Sequence, residues 1–364
     1  MKIERLKEEI REIGDPRRVC YGNLRHTLEE ILIIALCTVV CGGEDFVDME
    51  DFGREREDWL RGFLKLPNGI PDSDTFRRVL ERINPNELSK HLTKWLATER
   101  EKRAVVSIDG KTIRGSGNEK HRAYHVIRAF VAENQIVLGD LATEEKSNEI
   151  TAVPELLEVL DVEGAIITAD AMSCQTDIAE KITEKKADYV LGLKGNQTSL
   201  HDDVELYFEN IPVNTRTVTK EKGHGRIETR EYFLETDIDW LSQKPKWTNL
   251  NAIGMVKSTV IENGETRSDT RFFITSLADI SEFAYAVRKH WSIENQLHWC
   301  LDVIFREDAA KMKKDSSPLN MNVLRKTALP LLSAANLGRI GIRKKMFKAA
   351  LNPVVLEQII FPSE

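Results

Sequence analysis

The sequence predicts an α/β protein in which a mixed sheet is flanked by helices, with an all-helical N-terminal domain and a β-rich insertion. Up to about residue 100, apolar residues recur at helical spacing. From Ala104, short β-branched runs alternate with helical segments, as in an α/β domain. Residues 200 to about 276 are rich in Thr, Arg and aromatic residues in alternating stretches. We place the N-terminal domain at residues 1–100, the α/β domain at 101–340 and a basic C-terminal tail at 341–364.

Helix start signals support the N-terminal domain. Thr27 and Glu30 form a capping box ahead of an apolar helical pattern. Residues 71–75 are typical of a loop with an N-cap, and Pro85 starts a further helix. The longest apolar run, residues 31–41, is shorter than the ~18 residues that span a bilayer, so we expect a core helix there and no membrane segment.

The segment after Ala104 has the element order of a ribonuclease-H-like fold. Three strands, of which the last two form a hairpin through Glu133 and Asn134, are followed by a helix, a strand, a helix and a strand. In that fold the first strand carries one carboxylate and the fourth carries another beside it. After the insertion we predict a long helix over about residues 281–306. The predicted elements are strands 104–109, 124–132 and 135–141, helix 149–160, strand 165–170, helix 176–186 and strand 189–193, then insertion strands 227–233, 252–261 and 270–274.

Charge is distributed unevenly along the chain. The formal net charge is −7, but residues 311–364 contain ten Lys/Arg against three acids, a local balance of +7 that leaves −14 on residues 1–310. A basic tail on an acidic body is a candidate phosphate-contacting arm, and a solvated helical face fits the charge equally well.

Cysteine usage and the N-terminus predict a cytoplasmic protein. The five cysteines are odd in number and contain no Cys-x-x-Cys pair, which argues against a disulfide framework and a zinc site. The first five residues are mostly charged and show no apolar signal-peptide region.

Two aspartates follow predicted buried strands. Asp109 comes after the run Val-Val-Ser-Ile at 105–108, which is mostly β-branched, and precedes Gly110, whose missing side chain leaves room for a ligand. Asp170 follows residues 166–169 in the same way. Two strand-borne carboxylates suggest a metal-dependent active site.

A third acid is expected on the helix after the insertion, and Glu294 fits. Three converging carboxylates repel one another unless cations lie between them. Oxygen ligands suit Mg²⁺ or Mn²⁺. Two such ions would activate an attacking water or 3′-hydroxyl and stabilise the leaving oxygen in phosphodiester chemistry.

Other polar and aromatic residues leave alternatives open. Lys111 and Lys194 follow strands near the proposed site, and either phosphate contact or a solvated surface explains them. Gly110-Lys111-Thr112 is not the end of a phosphate-binding P-loop, because that motif requires Gly where Val105 stands.

The histidines and tryptophans are also ambiguous. His121 and His125 lie four apart, a weak metal signal on a strand, so a structural or DNA-facing role is favoured. For Trp291 and Trp299 we favour core packing over stacking on a base. His224 is predicted at a loop tip that contacts either DNA or solvent.

The ordered motifs resemble the DDE transposases of the ISAs type, including the H-repeat-associated proteins, over nearly the whole chain. The matching stretches are DPRR (15–18), LEEIL (28–32), NGIP (68–71), IDGKTIRGS (108–116), KSNEI (146–150), DAM (170–172), DYVL (188–191), KGNQ (194–197), GHGRIETR (223–230), HWSIENQLHW (290–299) and FRED (305–308).

The resemblance implies a transposase that cleaves and joins DNA at the terminal inverted repeats of an insertion sequence. Asp109, Asp170 and Glu294 would be its catalytic and metal-binding triad. Double-stranded DNA, as inverted repeats and as target, would be its partner, and a homodimer on DNA is the family expectation. A bacterial cytoplasmic protein, associated with the nucleoid when bound, is implied.

One departure lies around Glu294. Broader relatives carry a Tyr, an Arg and a Lys at positions −7, −4 and +7 from the glutamate, where this chain has Val287, His290 and Leu301. Nearby candidates to replace them are Arg288, His298 and Asp302. The predicted DNA contacts are Lys111, Arg114, Lys194, Asn196, His224, Arg226, Arg288, His290 and His298. The alternatives are a catalytically inactive, transposase-derived DNA-binding protein and a metal nuclease without strand transfer.

Overall fold

The computed structural model describes residues 2–17, 24–96, 103–117, 122–143, 149–223 and 225–361. Within these ranges the chain forms a nine-stranded mixed sheet with helices around it, which confirms the predicted α/β class. The helices are α1 (Lys2–Arg11), α2 (Leu28–Val40), α3 (Phe46–Glu55), α4 (Glu57–Leu60), α5 (Ser73–Arg82), α6 (Pro85–Leu96), α7 (Glu149–Val159), α8 (Thr176–Glu184), α9 (Thr198–Asn210), α10 (Ile280–His290), α11 (Ser317–Ala334), α12 (Ile342–Leu351) and α13 (Pro353–Ile360). The strands are β1 (Val105–Thr112), β2 (His125–Val131), β3 (Ile136–Thr143), β4 (Ile166–Ala169), β5 (Asp188–Leu193), β6 (Arg216–Gly223), β7 (Arg226–Glu235), β8 (Ala252–Glu262) and β9 (Glu265–Thr275).

The helix start signals of the N-terminal region act as predicted. Glu30 N donates to Thr27 Oγ1 at 3.1 Å, and Thr27 N donates to Glu30 Oε2 at 2.8 Å, so α2 begins with a capping box. All of α2 except Glu29 is buried, which explains its apolar run. Asp72 caps α5 by accepting from Thr75 N at 2.7 Å.

The sheet has the strand order β3-β2-β1-β4-β5-β9-β8-β7-β6. β1 runs antiparallel to β2 and parallel to β4, and β4 runs parallel to β5. β1 continues to Thr112, three residues beyond Asp109, because it pairs with β2 as far as Thr112 but with β4 only as far as Ile108.

The insertion differs from the prediction at its start. It begins with a helix, α9, and its first strand, β6, is absent from the predicted elements. β9 pairs antiparallel with β5, so the inserted strands extend the sheet instead of forming a separate unit. A polar, mostly exposed strand such as β6 has no apolar period by which to recognise it.

The two faces of the sheet pack against different helices. Ile108 and Ile167 pack in the core that includes α7, α8 and α9, whereas Val105 and Ile166 pack in the core that includes α10. Since side chains alternate along a strand, Asp109 and Asp170 point towards the face that α10 covers.

The predicted long helix after the insertion is not regular. α10 ends at His290, and the chain continues as two π-helical segments, Ile293–His298 and Cys300–Ile304. Such segments occur frequently at functional sites.

The C-terminal helices pack with the N-terminal ones. α11, α12 and α13 share one hydrophobic core with α1, α2, α5 and α6. Asn320 of α11 donates to the carbonyl oxygens of Leu80 and Ile83 at 2.8 and 2.9 Å. The described part of the basic tail is therefore helical, and the domain limits stay a prediction. No helix within the described ranges has the length and apolarity needed to cross a membrane.

Candidate active site

The parallel pairing of β1 with β4 brings two carboxylates together. Ile108 is the register partner of Ala169, so the next residues, Asp109 and Asp170, leave the paired strands at equivalent positions. The carboxylates thus meet on one face of the sheet, at the end of the parallel pairing.

Backbone hydrogen bonds orient Asp170. Its Oδ1 accepts from Met172 N at 3.0 Å and from Ser173 N at 3.2 Å. Gly192 of the neighbouring strand β5 lies so close that an added Cβ would be 3.3 Å from Ala171 N. The turn after β4 is therefore tightly packed against β5.

The first π-helical segment places Glu294 and His298 beside Asp109. His298 Nδ1 lies 3.2 Å from Glu294 Oε2 and 3.5 Å from Asp109 Oδ2. Donor atoms of these three residues all lie within 4.8 Å of one another, and among the described residues Asp170 is not a member of this group. His298 is buried, whereas Glu294 is exposed.

Electrostatics in this cluster favour a cation. Burial raises the pKa of Asp109 to about 7, and the charge of Asp170 acts in the same direction. The hydrogen bond with His298 lowers the pKa of Glu294, and burial lowers the pKa of His298 to about 4. A half-buried carboxylate near two others is stabilised in its charged form by a divalent ion, so the residues present fit Mg²⁺ or Mn²⁺.

Comparison with known proteins gives the family. A family model described as "Transposase DDE domain" matches residues 100–329, and one described as "DDE_Tnp_1-associated" matches residues 7–96. The chain belongs to the DDE transposase family. The family predicted from the sequence motifs, which includes the H-repeat-associated proteins, is thereby confirmed.

Several bacterial relatives of this DDE family member match nearly its whole length. "Putative transposase YncI" of Escherichia coli O157:H7 is 38% identical over 99% of this chain and 95% of its own. "H repeat-associated putative transposase YhhI" of Escherichia coli K12 is 36% identical over 99% of this chain and 98% of its own. "Inactive transposase YbfQ" of the same strain is 35% identical over 22% of this chain and 95% of its own. A solved piggyBac transposase synaptic complex with hairpin DNA aligns with 98% of this chain and 78% of its own, at 10% identity and a TM-score of 0.44, too weak a likeness to support an argument.

Gly110 has a different role from the one predicted. It faces away from the carboxylates, and an added Cβ would lie 2.6 Å from both Glu149 Oε1 and His125 Nε2. These two atoms are 2.5 Å apart and both side chains are buried. Gly110 therefore makes room for the buried side chains of His125 and Glu149 on the opposite face, not for a ligand. His125 is buried, a position that fits the structural one of the two favoured roles, and His121 lies outside the described residues.

Lys111 is not placed to contact DNA. It is buried, it pairs with Asp302, and its Nζ lies 3.4 Å from His298 O and 3.8 Å from Glu307 Oε2. The ion pair ties the helical segment that bears His298 to β1. We therefore correct the assignment of Lys111 from a DNA contact to a structural residue, because phosphate cannot compete for a buried, paired ammonium.

The residues around Glu294 are also engaged within the protein. Arg288 donates to both carboxylate oxygens of Glu221 on β6 at 2.9 Å. His290 Nδ1 lies 3.0 Å from Thr168 Oγ1, and burial lowers the pKa of His290 to about 4. Leu301, at the position of the family lysine, is buried. His298, predicted as a DNA contact, instead lies inside the acidic cluster.

Other predicted DNA contacts are exposed. Arg114 and Lys194 have exposed side chains near the site, and Arg226 is exposed on β7 with Glu228 3.4 Å away. Asn196 donates to Ala171 O at 2.6 Å, which holds the loop after Asp170. His224 lies outside the described residues.

Arg128 is a neighbour of the site that no sequence pattern singles out. It is the register partner of Asp109 in β2 and of Asp140 in β3. Its side chain is fully buried, and none of its guanidinium nitrogens has a hydrogen-bond partner among the described residues. Asp140 pairs instead with Lys326 of α11 at 2.5 Å. Only the strand register, unknown from sequence, could have shown this residue.

Trp291 and Trp299 do not pack in the core as favoured. Their exposed fractions are 39% and 52%, and Arg271 lies over the Trp291 ring at 4.5 Å. Both flank the segment that carries Glu294, and the half-exposed Trp299 is the ring with more surface open to a ligand.

Proposed function

We propose that this chain is a DDE transposase that catalyses metal-dependent cleavage and strand transfer of DNA at the terminal inverted repeats of an insertion sequence. The observation that supports it most is the position of Asp109, which lies beside Asp170 at the end of the β1–β4 pairing and has donor atoms within 4.8 Å of those of Glu294 and His298. We assign the β1–β5 sheet to the ribonuclease-H-like fold on its strand order and directions, and residues 1–100 to a transposase-associated helical domain.

In this proposal the three acids hold Mg²⁺ or Mn²⁺. Asp109 lies between Asp170 and the Glu294 segment, so it is the residue suited to contact two ions. When bound, two ions activate the attacking water or 3′-hydroxyl and stabilise the leaving oxygen. The protein contributes rigid carboxylates: the turn amides hold Asp170, and the His298 contact holds Glu294.

Exposed cations near the site and at the C-terminus are the proposed DNA contacts. Arg114, Lys194 and Arg226 lie exposed on the α/β part. On α12, Arg343 and Lys348 are exposed on either side of Phe347. Three other cations of residues 311–364 are buried and have structural roles: Arg325, Lys326 and Lys345. Since the N- and C-terminal helices share one core, they offer a common surface for recognising transposon ends, with a homodimer pairing two ends.

A strand-transfer assay tests this function. Purified protein, a labelled duplex carrying the inverted repeats that flank the gene, and supercoiled target plasmid are incubated with Mg²⁺ or Mn²⁺. We expect nicking at the repeat end and covalent joining to plasmid, both lost in Asp109→Ala and in Glu294→Gln. Nicking without joining would indicate the nuclease alternative. Binding without nicking by the unchanged protein would overturn the enzyme proposal.

The second candidate function is DNA binding without catalysis. Two observations favour it: His290 and Leu301 stand where the broader family has an arginine and a lysine, and one relative is named an inactive transposase. Against it, all three acids are present, Asp109 and Asp170 follow register-paired residues of β1 and β4, and Asp109 shares a group of donor atoms with Glu294 and His298. Catalytic failure of Asp109→Ala alongside an active unchanged protein would exclude this candidate.

A further inference from the structure

We propose that His298 is a nitrogen ligand of the ion held by Asp109 and Glu294, and that it biases this site towards Mn²⁺ over Mg²⁺. The inference rests on the proposed function only in assuming that the acidic cluster holds a divalent cation. It adds an imidazole to a set of ligands that the sequence motifs describe as three carboxylates.

The first argument is the position of Nδ1. It faces both carboxylates, 3.2 Å from Glu294 Oε2 and 3.5 Å from Asp109 Oδ2. Donors at adjacent positions of an octahedral ion with bonds of about 2.1 Å lie about 3.0 Å apart. The two separations from Nδ1 are close to this value and all three donors lie within 4.8 Å of one another, whereas Asp170 is not a member of this group among the described residues.

The second argument is that His298 is buried and its backbone is held in place. His298 has an exposed fraction of 3%, and its carbonyl oxygen lies 3.4 Å from the ammonium of Lys111. Lys111 in turn pairs with Asp302 of the following segment. Glu294 and His298 are four residues apart and therefore share one face of the helical turn, the spacing at which paired ligands on a helix meet one ion.

The third argument concerns the kind of ion. Mg²⁺ is a hard cation that prefers oxygen and keeps its waters, whereas imidazole nitrogen is a better ligand for first-row transition metals. Replacing one oxygen ligand by imidazole therefore weakens the site for Mg²⁺ relative to Mn²⁺. A buried imidazole also excludes the water that would otherwise complete the shell on that side.

Spectroscopy of the unchanged full-length protein provides the direct test. Mn²⁺ is added below one equivalent, and pulsed electron paramagnetic resonance measures coupling to nitrogen. We expect a ¹⁴N coupling that becomes a ¹⁵N coupling when histidine is isotopically labelled. Absence of any histidine coupling would overturn the inference, and this result does not depend on a variant folding.

Binding measurements on variants identify which histidine is involved. We expect His298→Ala to lose the coupling and to weaken Mn²⁺ binding by about tenfold or more, the scale of losing even an outer-shell partner, with a smaller loss for Mg²⁺. His290→Ala, a histidine on the preceding helix that contacts Thr168, should keep the coupling. Equal losses for both ions in His298→Ala would contradict the inference.

His298→Asn separates ligation from hydrogen bonding. Asparagine places an N–H donor near the position of Nδ1 but offers no imidazole nitrogen. We expect it to resemble His298→Ala in ion preference. Full recovery of Mn²⁺ preference in His298→Asn would show that His298 only bridges the carboxylates by a hydrogen bond. None of these measurements needs DNA, so nitrogen coupling without strand transfer would overturn the proposed function and leave this inference intact.

Discussion

Lys111 and Asp302 form an ion pair that joins the central strand β1 to the second π-helical segment. Lys111 lies two residues beyond Asp109 on the same face of the strand, and its ammonium also approaches the carbonyl oxygen of His298. Through these two contacts Lys111 holds both π-helical segments, including the one with Glu294 and His298, against the strand that carries Asp109. The geometry of the acidic cluster depends on a contact outside the cluster.

Breaking this ion pair should destabilise the protein. We expect Lys111→Met to lower the free energy of unfolding by about 3 kcal/mol, because it leaves Asp302 and the buried Glu307 with one cation fewer. Urea denaturation followed by circular dichroism measures the change. As a control, Lys194→Met on the exposed surface should stay within about 0.5 kcal/mol. Equal effects of the two variants would show that the pair contributes nothing.

Much of the fold around the site could be predicted because it follows local rules. Asp109 and Asp170 each end a run of β-branched residues, and Thr27 with Glu30 forms a capping box that needs only a four-residue window. β6 could not be predicted, since its residues are almost all exposed and carry no apolar period. The attachment of the insertion to β5 is a long-range pairing that no local pattern encodes.

The site itself was only partly predictable for the same reason. The identity of the acids follows from strand ends and motifs, but the environment of each basic residue depends on tertiary packing. From the sequence, Lys111 looks like a surface lysine, but it is buried in the structure. Trp299, eight residues from Trp291 on a predicted helix, is expected in the core, but it is exposed. Arg128 becomes a neighbour of Asp109 only through the register of β1 with β2.

Removing the charge of Asp109 should abolish stabilisation by Mn²⁺ without lowering the stability of the ion-free protein. In the presence of a chelator, we expect Asp109→Asn to leave stability unchanged or raise it by about 1 kcal/mol, because the amide removes a buried charge that Asp170 repels. Added Mn²⁺ should raise the Tm of the unchanged protein but not of the variant. Thermal denaturation with and without Mn²⁺ measures both.

The control for this comparison is Asp161→Asn, an exposed aspartate after α7. It should keep the full Mn²⁺ stabilisation of the unchanged protein. If Asp109→Asn instead lost more than about 1 kcal/mol of stability in chelator, Asp109 would be a structural acid and the repulsion argument would be wrong.

Two arginines near the site should differ in their contribution to DNA binding. The Arg114 side chain is 81% exposed, and its ion-pair partner within the described ranges is Asp308 at 4.0 Å, whereas Arg288 is held by both oxygens of Glu221. We expect Arg114→Gln to weaken binding of an inverted-repeat duplex and to reduce the salt slope by about one. Arg288→Gln should change the slope less, because its charge is already paired.

Fluorescence anisotropy at several salt concentrations measures these slopes. Glu221→Gln provides the matched control, since it releases Arg288 without removing it. If Arg288→Gln reduced the slope as much as Arg114→Gln, the Glu221 pair would have to break on DNA binding, and Arg288 would regain the role predicted from the sequence.

Trp299 should contribute to DNA binding and little to folding. Its ring is 52% exposed beside the segment that carries Glu294, so it buries little apolar surface within the protein and offers a face on which a base can stack. We expect Trp299→Ala to weaken binding of single-stranded or frayed repeat ends by about 1–3 kcal/mol per stacked base. Trp247→Ala, at 5% exposure in the core, should instead cost about 3–5 kcal/mol of folding stability. Anisotropy and urea denaturation of both variants separate the two effects, and a Trp299→Ala protein that unfolds as readily as Trp247→Ala would place Trp299 in the fold and not in DNA binding.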